Sequence, residues 1–212
     1  MDSLDLALEL DYIFIPSKIP SKKLMIILHG RGDSSEGFVG FPSFLNIDEM
    51  NYILFDAPFD YMPGFSWYKL PPNQQPGIEY SSKLLTHDLD LLFKNTFEVT
   101  ESFLFGFSQG SLLTFEFGAK YHKVLAGYIG VSGYIYDVEK LLEDMNPEVK
   151  NSRWLCTHGI YDNVLQYEVS KEQVQTLVNG GFDVEFISYE KDHTIIEEEL
   201  EMISQWIKST FS

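Results

Sequence analysis

Short apolar runs, rich in β-branched and aromatic residues, alternate along this chain with longer stretches whose apolar positions recur every three or four residues. The short runs predict strands at Tyr12–Pro16, Leu24–His29, Tyr52–Asp56, Ser102–Phe107, Ala126–Val131, Arg153–Thr157 and Val184–Tyr189. Several are apolar at every position, as expected of strands buried on both faces of a mainly parallel sheet. Helical spacing appears in Ser82–Asn95 through Leu85, Leu89 and Leu92. It recurs between Ile195 and Phe211, where Ile196, Leu200, Ile203 and Ile207 draw one stripe. The exposed face of that second helix is expected to carry Glu197, Glu198 and Glu199 in its first turn, where negative charge suits the helix dipole. The alternation predicts a doubly wound, mainly parallel α/β sheet flanked by helices. Ligands of such sheets sit beyond the carboxyl ends of the strands.

Nothing interrupts this alternation. There is no internal repeat, low-complexity linker or compositional break, so the 212 residues are expected to form a single domain, 1–212. The formal charge of −17 repels phosphate backbones and anionic lipid, which argues against nucleic acid as a partner. No run approaches the roughly 20 apolar residues that span a bilayer. The opening MDSLDLALELD lacks the basic start and apolar middle of a secretory signal, so a cytosolic location is expected. The single cysteine, Cys156, excludes an intrachain disulfide and reads, within WLCTH, as a small buried side chain.

The predicted strand Ser102–Phe107 runs directly into Gly106-Phe107-Ser108-Gln109-Gly110, and SLLTFEFGAKY then reads as a helix. A strand, then G-x-S-x-G, then a helix is the setting of a nucleophile elbow. The turn lifts the Ser108 hydroxyl above the sheet, and glycines are needed where a Cβ would strike neighbouring backbone.

A serine hydroxyl needs a base to take its proton and a third group to orient that base. Among the five histidines, only His122, His158 and His193 follow the serine. His122 falls at the end of the helix after the elbow and reads as solvated. His158 is followed by Gly159-Ile160-Tyr161-Asp162, a loop suited to supplying the acid, so Asp162 is the first choice and His158 a brace for its loop. His193 lies after the last strand, in EKDHT, where the loop opens onto the carboxyl edge of the sheet. It is the expected base. Asp192 is too close in sequence to orient it, and Asp56 in FDAP is the second choice of acid.

Acyl transfer also needs two donors facing the developing oxyanion. The backbone N–H of Gln109 is one. The loop Leu28-His29-Gly30-Arg31-Gly32-Asp33 supplies the other through the N–H of Arg31, with His29 steadying the loop. The Arg31 side chain either recognises a negative group on the substrate or pairs with a local carboxylate such as Asp33. Surface ion pairs are common, so the pairing is preferred.

Together, LHGRGDS, GFSQGS, HGIYD and the late DHTI resemble the phospholipase/carboxylesterase family, which contains the acyl-protein thioesterases. The resemblance runs in order from about Leu24 to Trp206. It implies an α/β-hydrolase fold without a large cap, acting on ester or thioester bonds of acyl substrates and needing no metal or organic cofactor. Carried over by position, it implies the same Ser108, Asp162 and His193, with Arg31 and Gln109 as oxyanion donors. The sequence departs from the family at Ser111, where glycine is usual, at Gln166, where proline is common, and at Asp192, where glycine is frequent. Trp67 and Tyr68 resemble an aromatic pair found near the active site in this family. Phe65, Trp67 and Tyr68 are therefore expected either to wall an acyl pocket or to pin a packed loop. Two other classes remain to be weighed. One is a non-catalytic binding module on a hydrolase scaffold. The other is a metal-dependent hydrolase, for which no H-x-x-x-H or paired Cys/His spacing is present.

Overall fold

The computed structural model describes Leu4 and residues 6–211; residues 1–3, 5 and 212 of the expected 1–212 span lie outside the described residues. In chain order the strands are β1 (Tyr12–Ile15), β2 (Lys23–Leu28), β3 (Met50–Phe55), β4 (Phe59–Tyr61), β5 (Gly64–Ser66), β6 (Ser102–Phe107), β7 (Gly127–Val131), β8 (Arg153–Gly159) and β9 (Asp183–Tyr189). The helices are α1 (Phe41–Leu45), α2 (Gln75–Asn95), α3 (Gln109–Gly118), α4 (Val138–Asp144), α5 (Tyr167–Asn179) and α6 (Glu197–Ser209).

Seven strands form one sheet in the order β1-β3-β2-β6-β7-β8-β9. β1 pairs antiparallel with β3, and every other neighbour in this sheet is parallel. These are the seven strands the apolar runs predict, with ends displaced by at most two residues. Alternate side chains feed two cores, because successive residues of a strand point to opposite faces. Leu24, Ile26, Leu28 and Leu104 pack on one face with Leu85, Leu89 and Leu92 of α2 and Leu112 of α3. Met25, Ile27, Phe103 and Phe105 pack on the other with Phe41 and Leu45 of α1 and with Leu200, Ile203, Trp206 and Ile207 of α6. Burial on both faces explains why β2 and β6 are apolar throughout.

Two expectations need correction. The aromatic, proline-rich stretch 59–80, whose sequence is poor in regular periodicity and predicts no element, is not irregular throughout. It holds the antiparallel β4–β5 hairpin, and α2 starts at Gln75, one residue before Pro76, rather than at Ser82. Proline suits the first helical turn because the N–H it lacks has no intrahelical partner there. Glu199 is also not on an exposed face: it is fully buried, while Glu197 and Glu198 are exposed.

The sheet changes direction of build between β2 and β6. β3 and β1 extend it on one side of β2, and β6 to β9 extend it on the other. Loops leaving the carboxyl ends of β2 and β6 therefore diverge and leave a crevice between them, which is where ligands of open α/β sheets bind. Among the described residues, no helix is long and apolar enough to cross a membrane.

Candidate active site

Ser108 sits at the tip of the turn between β6 and α3 with φ 55° and ψ −111°, a strained backbone conformation for a residue with a side chain. Its N–H donates to Val131 O at 2.9 Å, which ties the turn to β7. The turn exists because two residues lack a Cβ. One built on Gly106 would lie 2.1 Å from Gly110 O, and one on Gly110 would lie 2.1 Å from Leu28 O. The start of α3 lies directly behind the hydroxyl, so its N-terminal dipole faces any negative charge that develops there.

His193 comes from the loop between β9 and α6, and its Nε2 lies 2.9 Å from Ser108 Oγ. Its Nδ1 lies 2.7 Å from Asp162 Oδ2. Asp162, in the loop after β8, accepts two further hydrogen bonds on Oδ1, from the N–H of Leu165 at 2.8 Å and of Val164 at 2.9 Å. Burial alone would raise its pKa, but the donations from Leu165, His193 and Val164 outweigh that and hold it below the ordinary carboxylate value. Asp162 is thus an ionised acceptor toward His193. The Nδ1–H tautomer follows, which leaves Nε2 free to accept the Ser108 hydroxyl proton.

The loop bearing Asp162 is braced from beneath. His158 is fully buried, and its Nε2 donates to Leu165 O at 3.0 Å. Burial lowers its pKa, so it stays neutral. Tyr161 N–H donates to Lys191 O at 3.1 Å and joins this loop to the one bearing His193. Lys191 is itself buried, with Nζ 2.6 and 2.5 Å from the two Glu199 carboxylate oxygens and 2.7 Å from Thr194 O. This ion pair clamps the His193 loop to the first turn of α6. No sequence pattern marks it, because a lysine between Glu190 and Asp192 reads as one more solvated charge.

The other expected residues fall as follows. Gly30 packs against the elbow, since a Cβ there would lie 3.3 Å from Ser108 Cβ, and Arg31 is next in the chain. Neither the Arg31 nor the Gln109 backbone N–H donates within the described residues. His29 steadies this loop: its Nδ1 donates to Gly30 O at 2.6 Å and its Nε2 accepts from Ala57 N–H at 3.0 Å. Asp56, the second choice of acid, is far from this role and accepts from Ser35 N–H at 2.6 Å. His122 is exposed and lies 3.1 Å from Asp90. The expected pairing of Arg31 with Asp33 does not occur. Asp33 Oδ1 accepts from Ser34 N–H at 2.8 Å, and no carboxylate among the described residues is in ion-pair reach of Arg31.

A groove of about 1110 Å³ opens beside Arg31, lined by Phe59, Tyr61, Tyr68, Leu70 and Tyr80 among others. A smaller one of about 500 Å³ is lined by Phe107 and His193 together with Phe38, Phe41 and Phe44. The aromatic trio divides between roles. Tyr68 lines the larger groove, whereas Trp67 is fully buried beneath it and donates from Nε1 to His29 O at 2.9 Å. Trp67 therefore does not wall a pocket; it pins the loop. Phe65, partly buried, packs against the core and pairs with Asp33 through its backbone, its N–H donating to Asp33 O at 2.8 Å. Of the departures from the family pattern, Ser111 is fully buried, Gln166 stands at the N-cap position of α5 with no side-chain capping bond, and Asp192 is exposed.

Residues 11–211 match the family described as Phospholipase/Carboxylesterase. A probable carboxylesterase of Oryza sativa subsp. japonica is 28% identical over 207 residues, covering 89% of this chain and 78% of the relative. Acyl-protein thioesterase 1 of Debaryomyces hansenii is 25% identical over 207 residues, covering 85% of this chain and 88% of the relative. Among solved structures, esterase PE8 superposes with a TM-score of 0.86 at 22% identity, covering 96% of this chain and 100% of its own. SOBER1 of Arabidopsis thaliana gives a TM-score of 0.84 at 23% identity, covering 90% of this chain and 99% of its own. These superpositions show the fold, a mainly parallel α/β-hydrolase sheet flanked by helices without a large cap.

Proposed function

Because the chain belongs to the phospholipase/carboxylesterase family, we propose that it is a serine hydrolase that cleaves ester or thioester bonds of acyl substrates through an acyl-enzyme on Ser108. The observation that carries this reading is the continuous row from Asp162 to His193 to Ser108, at 2.7 and 2.9 Å. Relatives named as carboxylesterases and as acyl-protein thioesterases support both bond types.

In this reading His193 Nε2 takes the Ser108 proton as Oγ attacks the acyl carbonyl. Asp162 holds the imidazole by its Nδ1–H and stabilises the imidazolium that forms. The carbonyl oxygen becomes an oxyanion between the backbone N–H groups of Arg31 and Gln109, both without an acceptor among the described residues. The imidazolium then protonates the leaving alcohol or thiol as the tetrahedral intermediate collapses to the acyl-enzyme. Water enters, gives its proton to His193 and releases the acid, restoring the serine. The larger groove, apolar at Phe59, Leu70 and Tyr80, supplies room for an acyl chain.

The test is hydrolysis of p-nitrophenyl esters from acetyl to decanoyl, with fluorophosphonate labelling, in the wild type and Ser108→Ala. Labelling and turnover that both vanish in the variant are expected. A folded wild type that is not labelled would favour a binding module on the same scaffold.

A further inference from the structure

The Arg31 guanidinium lies over the Tyr61 ring, 5.1 Å from its centroid, a cation–π contact that leaves its in-plane donors unused. Its Nη1 is buried yet has no hydrogen-bond partner among the described residues. Buried donors in folded proteins are almost always paired, so an orphaned guanidinium nitrogen at a groove calls for a partner that arrives from outside. A buried phenol lines the same groove. The Tyr68 hydroxyl has the Tyr134 hydroxyl as its neighbour and lies close enough to feel the Arg31 charge. Burial, the largest effect, keeps this phenol protonated, so its O–H can turn from Tyr134 to an acceptor that enters the groove.

We propose that Arg31 and the Tyr68 hydroxyl form a subsite for a carboxylate carried by the substrate's acyl chain, making the protein selective for half-esters of dicarboxylic acids. The inference rests on the hydrolase reading for its placement: Gly30 touches the elbow, so an acyl chain leaving the Ser108 carbonyl along the larger groove passes the next residue, Arg31. A guanidinium presents a planar fork that matches two carboxylate oxygens, which a lysine cannot do. Lys69 on the same groove adds a second positive charge. A monoanion fits better than a phosphate dianion, because the chain carries −17 overall and Asp60 stands exposed on the groove's edge.

Mono-p-nitrophenyl adipate and p-nitrophenyl hexanoate share a chain length and differ by one terminal carboxylate. The wild type is expected to prefer the adipate in kcat/KM by roughly tenfold or more, as a charge-assisted hydrogen bond allows. Arg31→Met should abolish that preference and Arg31→Lys should restore only part of it. The readout is a ratio within each variant, so any loss common to both esters through the Arg31 loop cancels. Tyr68→Phe should lower the ratio several-fold. A phosphonate of matched length turned over faster than the adipate would overturn the choice of a carboxylate. In parallel, Ser108→Ala protein should bind monomethyl adipate more tightly than methyl hexanoate, and adding Arg31→Met should erase the difference. Hexanoate turnover with no carboxylate preference overturns the subsite while the hydrolase reading stands. No turnover, with Arg31-dependent binding intact, overturns the hydrolase reading while the subsite stands.

Discussion

The Gln109 side chain accepts the backbone N–H of Trp67 on Oε1 at 3.0 Å, so the residue after the elbow serine also fixes the floor of the larger groove. The same oxygen accepts from Ser66 Oγ at 3.1 Å, and Nε2 donates to Tyr68 O at 2.9 Å. The proposed backbone donor to the oxyanion and a side-chain clasp therefore meet in one residue. Gln109→Leu keeps the first and removes the second, leaving the buried Trp67 N–H without an acceptor while Tyr68 O keeps Ser66 Oγ–H. It should cost about 1–3 kcal/mol in stability and lower kcat/KM roughly tenfold for short and long esters alike. Urea unfolding and the ester series measure the two effects. A variant as stable as the wild type would show that the clasp contributes nothing.

Trp67 tests the same floor from below. It is buried, donates to His29 O and accepts Ser81 Oγ–H on its own carbonyl at 2.7 Å. Trp67→Ala should destabilise the fold by about 3–5 kcal/mol and reduce acetyl and decanoyl ester turnover together. Tyr80→Ala on the exposed groove edge should instead spare acetyl esters and weaken the long ones. If Trp67→Ala selectively lost the long esters, the side chain would have to face the acyl chain after all.

How much of this was legible in the sequence follows the range of the interactions. Strands β2 and β6 announce themselves because burial on both faces makes every position apolar. The elbow is legible because its five residues are contiguous between a strand and a helix, with Gly106 answering a clash against Gly110 O, although the clash Gly110 answers is with Leu28 O of distant β2. Asp162 and His193 follow from which loops leave the carboxyl edge. The Lys191–Glu199 clamp, the Gln109 clasp and the burial of Trp67 depend on which loops meet in space, and no periodicity records that. The pairing of Arg31 with Asp33 looked natural at two residues apart, but Asp33 turns to Ser34 N–H and closes its own turn.

The buried clamp between Lys191 and Glu199 gives a test of how firmly the His193 loop is held. Burial lowers the Lys191 pKa, and the contacts with Glu199 offset part of that. Lys191→Met leaves a fully buried carboxylate without its counter-ion, which should cost about 3–5 kcal/mol. Replacing both partners, as Lys191→Met with Glu199→Leu, should recover most of that loss, because no uncompensated charge remains. Turnover need not recover with it, since the tie to Thr194 O beside His193 is still absent. A double-mutant cycle by thermal unfolding and kcat decides it: a double variant less stable than Lys191→Met alone contradicts the account.

Acid should weaken the fold in two stages, set by different groups. His29 and His158 are buried, and burial holds the pKa of each below its ordinary 6.5. Below that value the unfolded chain binds protons that the folded one refuses, so stability falls as pH drops through about 6.5. Asp162 acts lower. Its folded pKa is depressed below 3.8, so the stability it contributes is present above that value and is lost as pH falls further. The net charge of −17 shrinks over the same range and relieves self-repulsion, which opposes the histidine effect. His158→Gln shares that relief but lacks one titrating group, so it isolates the histidine contribution. Urea midpoints at pH 8, 6.5 and 5 should decline in the wild type relative to the variant, and Asp162→Asn should differ from the wild type less at pH 3 than at pH 7. Parallel wild-type and His158→Gln curves between pH 8 and 5 would mean that His158 accepts a proton in place, with Asp162 Oδ2, 3.4 Å from its Nε2, as the counter-charge.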